Sequence, residues 1–318
     1  MRLRLSKRDW CCRRVSQYYL RTAYLWRDER SVTREPRLMA VHAHPDDESS
    51  KGAATMAHYA TIGRVRVVTC TGGERGSILN PRLVGRTDIE ENMPAIRQQE
   101  MTAAAEALGI EHTWLGFVDS GLPEGEPLPP LPDDCFASIP LEEPVGRLVA
   151  EIREFKPQVL TTYNELGGYP HPDHIRVHEV SMAAVEAASD PTRFPEAGDP
   201  WTVSKVYYDV SFSPDRIQAF HEVLIAEGLE SPFAEWMERR GKTPTRRVDA
   251  RLEVSEFFPQ RDQALLAHAT QIDPDGFFMA VPRDIEARVW PWEEFELAHS
   301  VVGYPDEIET DLFARIEE

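Results

Sequence analysis

Short apolar runs alternate with longer stretches of helical pattern from Leu38 to Val210. The first run, Leu38 to Val41, is uninterrupted, which is typical of a strand buried on both faces of a parallel sheet. Strands that alternate with helices form right-handed βαβ units. The sequence therefore predicts an α/β fold with a mostly parallel, doubly wound sheet. The further predicted strands cover residues 65–70, 112–117, 159–163 and 203–210.

The helices between these strands are predicted from their composition and from the glycines Gly63 and Gly109 that end the first two of them. The proline-rich, acidic residues 122–134 and the residues 165–173 are expected to form loops. After residue 211 the periodicity weakens, and we expect a smaller mixed α/β portion there. The predicted helices cover residues 52–62, 89–108, 141–155, 175–188 and, in the C-terminal portion, 260–272.

The first 36 residues differ from the rest in charge. Up to Arg37 the chain has eleven basic and four acidic residues, whereas the remainder has 24 basic and 50 acidic residues. The best apolar run in this segment is interrupted by Arg21 and Thr22, so a secretory signal is not indicated. We expect residues 1–36 to be a basic, disordered extension or the product of a misplaced translation start. Residues 37–318 are expected to form the functional domain.

The formal net charge of −19 argues against some classes of partner. Such an acidic chain repels nucleic acid and anionic membranes. No apolar run approaches the roughly 20 residues that are needed to span a bilayer. The four cysteines show neither a disulfide framework nor a metal-binding spacing. We therefore expect a protein of the reducing cytoplasm whose main partner is neither nucleic acid nor a membrane.

Two clusters of histidine and carboxylate residues each follow a predicted strand. The run His42-Ala43-His44-Pro45-Asp46-Asp47-Glu48 comes directly after the first strand. The run His171-Pro172-Asp173-His174 follows the strand that ends at Tyr163. Parallel sheets of this type bind ligands outside the carboxyl ends of their strands. The two clusters are therefore expected to lie together, despite their separation in the chain.

Three of these residues make a donor set for a metal ion. His44 and Asp47, with His174 from the second cluster, give the two imidazoles and one carboxylate that catalytic Zn²⁺ sites use. Asp46 is then free to act as a general base on water. His171 with Asp173 can serve as an acid or stabilise developing negative charge. Non-haem Fe(II) oxygen chemistry uses similar donors, but the additional base favours hydrolysis.

Other sequence features are assigned simpler roles. The sequence contains neither a Ser-centred nucleophile elbow nor a phosphate-binding loop that ends in Gly-Lys-Ser/Thr. The glycine-rich stretch at residues 71–76 is expected to line the pocket entrance, with Arg75 available to a polar substrate. His42 is interpreted as a packed residue and not as a metal ligand. Five further histidines are interpreted as structural or surface residues: His58, His112, His178, His221 and His299.

The two clusters taken together resemble the LmbE-like (PIG-L) superfamily of zinc-dependent N-deacetylases. The likeness begins near Arg37 and extends close to the C-terminus. Within the superfamily the chain is most similar to the branch that hydrolyses mycothiol S-conjugates. This narrower likeness rests on residues 49–53, 69–76, 114–123 and 268–271.

The resemblance implies a Rossmann-like LmbE fold in which the three metal donors named above bind zinc, with Fe²⁺ as the alternative ion. It implies that Asp46 is the general base. It also implies that His171 is the acid or oxyanion stabiliser and that Asp173 orients it. Tyr169 would be a mobile pocket residue that donates to the tetrahedral oxygen, and Gln271 would line the pocket.

The substrate that the resemblance implies is a mycothiol S-conjugate. Cleavage of its amide bond would give a mercapturic acid and glucosaminyl-inositol, which is a detoxification reaction. Related deacetylases tend to carry other residues at the positions of Lys51 and Arg75, so we expect these two residues to lie near the pocket mouth and favour the large conjugate. The alternatives are a deacetylase of N-acetylglucosaminyl-inositol and a non-catalytic sugar-binding or metal-storage protein. The additional base Asp46 argues against the latter.

Overall fold

A seven-stranded sheet runs through the described part of the chain, which in this computed structural model comprises residues 35–317 except 235–236 and 238–244. The expected extension at residues 1–36 therefore lies almost wholly outside the described residues. The strands are β1 Arg37–His42, β2 Arg64–Thr71, β3 Glu111–Phe117, β4 Val159–Thr162, β5 Lys205–Asp209, β6 Ala250–Glu253 and β7 Trp292–Ser300.

The strand order is β3-β2-β1-β4-β5-β7-β6. The first five strands are parallel, and β1 pairs with β2 from Arg37 opposite Arg64 to His42 opposite Thr69. β7 runs antiparallel to β5, and β6 runs antiparallel to β7. The C-terminal portion thus continues the same sheet as an antiparallel edge. The prediction of a mostly parallel α/β sheet is confirmed.

Helices cover both faces of this sheet. Short 3₁₀ turns lie at Pro195–Ala197, Ser255–Phe257 and Phe277–Met279. In the part of the chain that the structure describes, none of the helices combines the length and apolarity that a membrane span requires. The helices are α1 Asp47–Ser50, α2 Ala53–Ala60, α3 Thr87–Glu90, α4 Met93–Leu108, α5 Glu142–Phe155, α6 Pro172–Ser189, α7 Pro214–Ala226, α8 Phe258–Ala267 and α9 Arg283–Val289.

The alternating side chains of β1 divide the core into two layers. Met39 and Val41 pack with residues of α5 and α6 on one face. Leu38 and Ala40 pack with residues of α2, β6 and β7 on the other face. All four side chains are fully buried, as expected for a central strand whose successive side chains point to opposite faces. This two-sided burial explains the uninterrupted apolar run in the sequence.

Two helix boundaries differ from the predicted ones because of proline. The helix predicted over residues 89–108 is divided into α3 and α4, and Pro94 lies in the first turn of α4. Proline lacks the backbone N–H that a continuous helix requires. Residues 172–173, predicted as loop, are instead the first turn of α6, with Pro172 at its first position. Proline is favoured there because the first N–H of a helix has no partner within the helix.

The strand order determines where a site can form. The connections from β1 lead to β2 on one side, and β4 lies on the other side of β1. A crevice opens at such a reversal, outside the carboxyl ends of the two strands. The two histidine–carboxylate clusters follow β1 and β4, so both lie at this switch point.

A buried cluster of charges around Glu286 joins three C-terminal helices. The Glu286 carboxylate accepts hydrogen bonds from Arg216 of α7 at 3.0 Å, from Arg261 of α8 at 2.8 Å and 2.9 Å, and from Arg283 of α9 at 2.8 Å. Only 2% of the Glu286 surface is exposed. We expect Glu286→Ala to lower the free energy of unfolding by about 3–5 kcal/mol, because buried guanidinium groups lose their counter-charge.

Urea denaturation of the full chain measures this effect. Asp88→Ala is the matched control, because it removes a carboxylate that pairs with Arg86 in an exposed position. The control is expected to leave the unfolding midpoint almost unchanged. Equal midpoints for the Glu286→Ala variant and the wild type would show that the cluster contributes nothing to stability.

Candidate active site

The turn after β1 places His44, Asp46 and Asp47 at the carboxyl edge of the sheet. The His44 N–H donates to Asp47 Oδ2 at 3.0 Å, which closes the turn. Asp46 has φ 125° and ψ −23°, a conformation that residues with a side chain rarely adopt. The neighbouring carboxylates consequently have different partners: Asp46 contacts Arg97, and Asp47 faces His174.

His44, Asp47 and His174 meet at the switch point. Asp47 Oδ2 lies 3.6 Å from His44 Nδ1 and 3.4 Å from His174 Nε2. One potential ligand atom from each residue lies within 4.8 Å of the others. All three side chains are buried. The structure thus brings together the three residues that the sequence analysis selected as metal donors.

Each histidine of this group is oriented through its second ring nitrogen. His174 Nδ1 donates to Gly167 O at 2.9 Å, and His44 Nε2 lies 3.2 Å from Asp173 Oδ2. Carbonyl and carboxylate partners of this kind orient metal-binding histidines. His174 Nε2 is buried and has no hydrogen-bond partner among the described residues. An unpartnered nitrogen next to a carboxylate and a second imidazole fits a divalent metal such as zinc.

Asp47 is held as a carboxylate by its surroundings. Tyr163 donates its hydroxyl to Asp47 Oδ2 at 2.7 Å, and Lys51 Nζ lies 2.6 Å from Asp47 Oδ1. Burial would raise the pKa of Asp47, but His174 and Lys51 outweigh it and hold the pKa well below its usual range. Metal ligands must be deprotonated, and Asp47 meets this condition.

Lys51 lies in the connection between α1 and α2. Its ammonium group contacts Asp47 and, at 3.1 Å, Ser50 Oγ. The side chain is 12% exposed, so Lys51 is not a solvated surface lysine. The ammonium group of Lys51 thus reaches the site through its contact with Asp47 Oδ1.

Asp119 is a site residue that the sequence analysis did not select. Its Oδ1 lies 3.5 Å from His44 Nε2, and with His44, His171 and Asp173 it forms a second group of potential ligands within 4.8 Å. This group contacts Nε2 of the His44 ring, whereas Asp47 faces Nδ1. The unpartnered His174 nitrogen lies on the Asp47 side, which favours that side for a metal. The available signal for Asp119 was its position two residues after β3, at the same sheet edge.

His171 is the N-cap of α6, and its Nδ1 accepts a hydrogen bond from the Asp173 N–H at 3.1 Å. The neutral ring therefore carries its hydrogen on Nε2. The Asp173 carboxylate accepts hydrogen bonds from Ser120 N at 2.9 Å and from Ser120 Oγ, and it faces His44. Asp173 thus orients the His171 ring through its backbone N–H and not through its carboxylate. Burial and His44 lower the pKa of His171 to about 4.

Asp46 lies beside the three metal donors and is more exposed than its neighbour. Its side chain is 23% exposed, against 5% for Asp47. Arg97 Nη2 donates to Asp46 Oδ2 at 2.9 Å. Burial raises the pKa of Asp46; Arg97 opposes this shift, and Asp47 adds to it. An accessible carboxylate with a raised pKa is suited to accept a proton.

Tyr169 is the most exposed of the predicted catalytic residues. It is 44% exposed, and its ring centroid lies 4.4 Å from that of His174 and 5.9 Å from that of His171. The buried Tyr163 ring stacks on His174 at 4.3 Å and also contacts the buried His42 ring. Neither nitrogen of His42 has a hydrogen-bond partner among the described residues.

The two other predicted substrate residues are bound to loops near the site. Arg75 donates its backbone N–H to Asp119 Oδ2 at 3.0 Å and its guanidinium group to Asp119 O. Gln271 Nε2 donates to Ser77 O at 3.2 Å and to Thr270 Oγ1 at 3.1 Å. Arg75 is therefore adjacent to the histidine–carboxylate groups. Gln271 instead contacts the loop directly after the glycine-rich stretch, at Ser77.

Comparison with known proteins places the chain in a family. The PIG-L family profile, described as GlcNAc-PI de-N-acetylase, matches residues 39–185. The chain is 53% identical over 294 residues to a mycothiol S-conjugate amidase of Streptomyces coelicolor, an alignment that covers 90% of this chain and 99% of the relative. It is 39% identical over 293 residues to a 1D-myo-inositol 2-acetamido-2-deoxy-alpha-D-glucopyranoside deacetylase of Geodermatophilus obscurus, covering 89% and 99%.

A solved structure shares the fold. N,N'-diacetylchitobiose deacetylase from Pyrococcus horikoshii superposes with a TM-score of 0.54 and 16% sequence identity, covering 90% of this chain and 92% of that one. The fold, the two clusters at the switch point and the long alignments with curated relatives agree with each other. The chain therefore belongs to the PIG-L family, within the LmbE-like superfamily that its motifs resemble.

Proposed function

We propose that this protein is a zinc-dependent amidase that hydrolyses the amide bond of mycothiol S-conjugates and releases a mercapturic acid and glucosaminyl-inositol. The observation that carries the reaction class is the buried group of His44, Asp47 and His174 with Asp46 beside it. The substrate is proposed from the 53% identity to the Streptomyces coelicolor amidase along almost its whole length. The two buried free cysteines, Cys70 and Cys135, are compatible with the proposed cytoplasmic location.

His44 Nδ1, Asp47 and His174 Nε2 would hold the metal ion, with zinc as the proposed ion and Fe²⁺ as the alternative. When bound, such an ion lowers the pKa of water and polarises a carbonyl oxygen. Tyr163 and Gly167 fix Asp47 and His174, respectively, in the orientation that binding requires. These contacts are already made by the protein alone, so the site is preorganised.

We assign both proton transfers of the reaction to Asp46. Its carboxylate takes one proton from the attacking water and returns it to the nitrogen of the leaving amine, so the residue ends the cycle as it began. Arg97 holds one carboxylate oxygen of Asp46 in place. General bases of this type contribute about 10²–10⁴-fold to the rate.

Two hydrogen-bond donors are proposed to stabilise the negative charge that develops on the amide oxygen. His171 carries its hydrogen on Nε2, because Nδ1 accepts the Asp173 N–H, and it can therefore donate as a neutral ring. Tyr169, which is exposed and contacts the rings of His171 and His174, is proposed to move and donate to the same oxygen. Each well-placed donor of this kind contributes about 3–4 kcal/mol to the stabilisation of the transition state. Asp173 acts by fixing His171 and His44.

A comparison of two substrates tests the proposal against its main alternative. The relative from Geodermatophilus obscurus is named as a deacetylase of an N-acetylglucosaminyl-inositol, which supports that second candidate. We expect the purified, metal-loaded protein to cleave a bimane conjugate of mycothiol with the higher kcat/KM. A higher value on N-acetylglucosaminyl-inositol would assign the protein to the deacetylases. Absence of hydrolysis with both would contradict the enzymatic proposal.

Lys51 is proposed to favour the large conjugate. We expect Lys51→Ala to lower the ratio of kcat/KM on the conjugate to that on N-acetylglucosaminyl-inositol by about tenfold, the value of one lost hydrogen bond to a charged group. The ratio is measured because the contact of Lys51 with Asp47 affects both substrates. Arg82→Ala, which removes an exposed charge paired with Asp275, is the control. An unchanged ratio in Lys51→Ala would refute this role.

A further inference from the structure

The strained backbone of Asp46 is held by a side chain that neither the metal group nor the proposed proton transfer uses. The Asp46 N–H donates to Glu48 Oε2 at 2.9 Å. The positive φ of 125° at Asp46 is unfavourable for a residue with a side chain, so it persists only where neighbouring contacts hold it. Glu48 supplies one such contact directly at the residue proposed as the base.

Glu48 is held in turn by a histidine from the C-terminal part of the chain. His268 Nε2 lies 2.7 Å from Glu48 Oε1, and the two residues are 220 positions apart. Both side chains have no exposed surface. A buried carboxylate requires a partner of this kind, because an unpaired buried charge is strongly destabilising. The second oxygen, Oε2, is thereby left to the Asp46 N–H.

The turn that carries His268 is itself firmly attached. Thr270 donates its N–H and its hydroxyl to the two oxygens of Glu100, both at 2.7 Å. The Leu79 N–H donates to Thr270 O at 2.9 Å, and Asn80 Nδ2 donates to Ala269 O at 2.8 Å. These contacts attach the turn to α4 and to the loop residues Leu79 and Asn80, which follow the glycine-rich stretch. His268 therefore approaches Glu48 from a rigid support.

We propose that Glu48 and His268 form a positioning pair that holds Asp46 in its catalytic orientation, an inference that rests on the proposed role of Asp46 as general base. The pair acts through the Asp46 backbone, and among the described residues neither of its side chains has a hydrogen bond to the three metal donors. Its loss therefore affects the proton transfer and leaves the metal site intact. Supporting residues of this kind are worth about 10–100-fold in activity.

A double-mutant cycle tests the proposal in the metal-loaded full chain. We expect His268→Ala to lower kcat by about 10–100-fold, with KM within about twofold and the metal content unchanged. His268→Gln keeps an N–H donor for Glu48 and is expected to recover most of the rate. The double variant Asp46→Asn with His268→Ala is expected to be no slower than Asp46→Asn alone, because the pair acts only through Asp46.

Multiplied losses in the double variant would overturn the proposal, and so would loss of metal from His268→Ala or a His268→Gln variant no faster than His268→Ala. If His268→Ala does not fold, Glu48→Gln takes its place in the cycle with the same expectations. His221→Ala is the matched control, because it removes a histidine whose ring contacts Ser231 Oγ at 2.8 Å and not Glu48. It is expected to leave kcat within about twofold of the wild-type value.

Hydrogen exchange at the Asp46 amide provides a readout that does not depend on activity. The exchange is expected to be faster in His268→Ala than in the wild type and in His221→Ala. An unchanged exchange rate would show that the pair does not hold this N–H. A wild type that cleaves neither amide substrate would refute the proposed function, whereas an active wild type with a multiplicative cycle would refute the positioning pair alone.

Discussion

Replacement of His174 by alanine is expected to remove both the bound metal and the hydrolytic activity. His174 Nε2 is a buried nitrogen without a hydrogen-bond partner among the described residues, and it lies 3.4 Å from Asp47 Oδ2. Its loss leaves one imidazole and one carboxylate, which hold a divalent ion weakly. Metal analysis after dialysis is expected to show far less than stoichiometric metal, and the hydrolysis of the mycothiol conjugate is expected to fall to background.

His178→Ala is the matched control for this variant. His178 lies one turn further along the same helix, α6, and its Nδ1 contacts Tyr163 O at 3.1 Å. It belongs to neither group of potential ligands in the described structure. The control is expected to keep its metal and most of its activity. Stoichiometric metal in the His174→Ala protein would show that the ion binds elsewhere, with the group around Asp119 as the next candidate.

Asp46→Asn is expected to keep the metal and to lose about 10²–10⁴-fold in kcat, the usual contribution of a general base. Asparagine retains the size of the side chain and an oxygen that can accept from Arg97. It also tolerates a positive φ better than most residues, so the turn is expected to keep its shape. The amide cannot accept the proton of the attacking water, and the loss is therefore chemical.

Asp47→Asn separates the base from the metal ligand. Asp47 Oδ2 lies 3.4 Å from His174 Nε2, and Tyr163 and Lys51 hold the carboxylate in place. Because a metal ligand at this position must be deprotonated, the neutral asparagine is expected to lose the metal. Measurement of metal content and kcat for both variants under the same conditions distinguishes the two roles. Metal loss in Asp46→Asn together with metal retention in Asp47→Asn would mean that the two assignments are reversed.

The local pattern of the sequence was sufficient for most of the elements. The apolar run at Leu38 to Val41 lies within β1, because a central strand with two buried faces has no polar positions to reveal an alternation. Prolines decided two of the boundaries that the pattern missed, at α4 and α6. The helix predicted over residues 260–272 ends at Ala267. The antiparallel edge formed by β6 and β7 was not predicted, since pairing between strands distant in the chain leaves no local signal.

The candidate site likewise contains residues that the sequence reveals and residues that only the structure reveals. His44, Asp47 and His174 were accessible to sequence reasoning because each belongs to a dense cluster of metal-binding residue types after a predicted strand. Asp119 stands alone in its segment, and its position two residues after β3 is its only signal. Arg97 lies within a helix and carries no such signal. The structure adds the contacts of these two residues with His44 and Asp46.

The sequence by itself determined the alternation of strands and helices, the positions of the two clusters and the types of donor atom, because these depend on neighbouring residues along the chain. Only the tertiary structure decided which nitrogen of each histidine is free. His44 Nε2 is directed to Asp173, a contact between the segments after β1 and β4 that depends on the strand order. His174 Nδ1 is directed to Gly167 within the segment after β4. The burial of Glu48 against His268, 220 residues away, also required the folded chain, because a long-range contact between two single residues has no periodicity that a sequence can display.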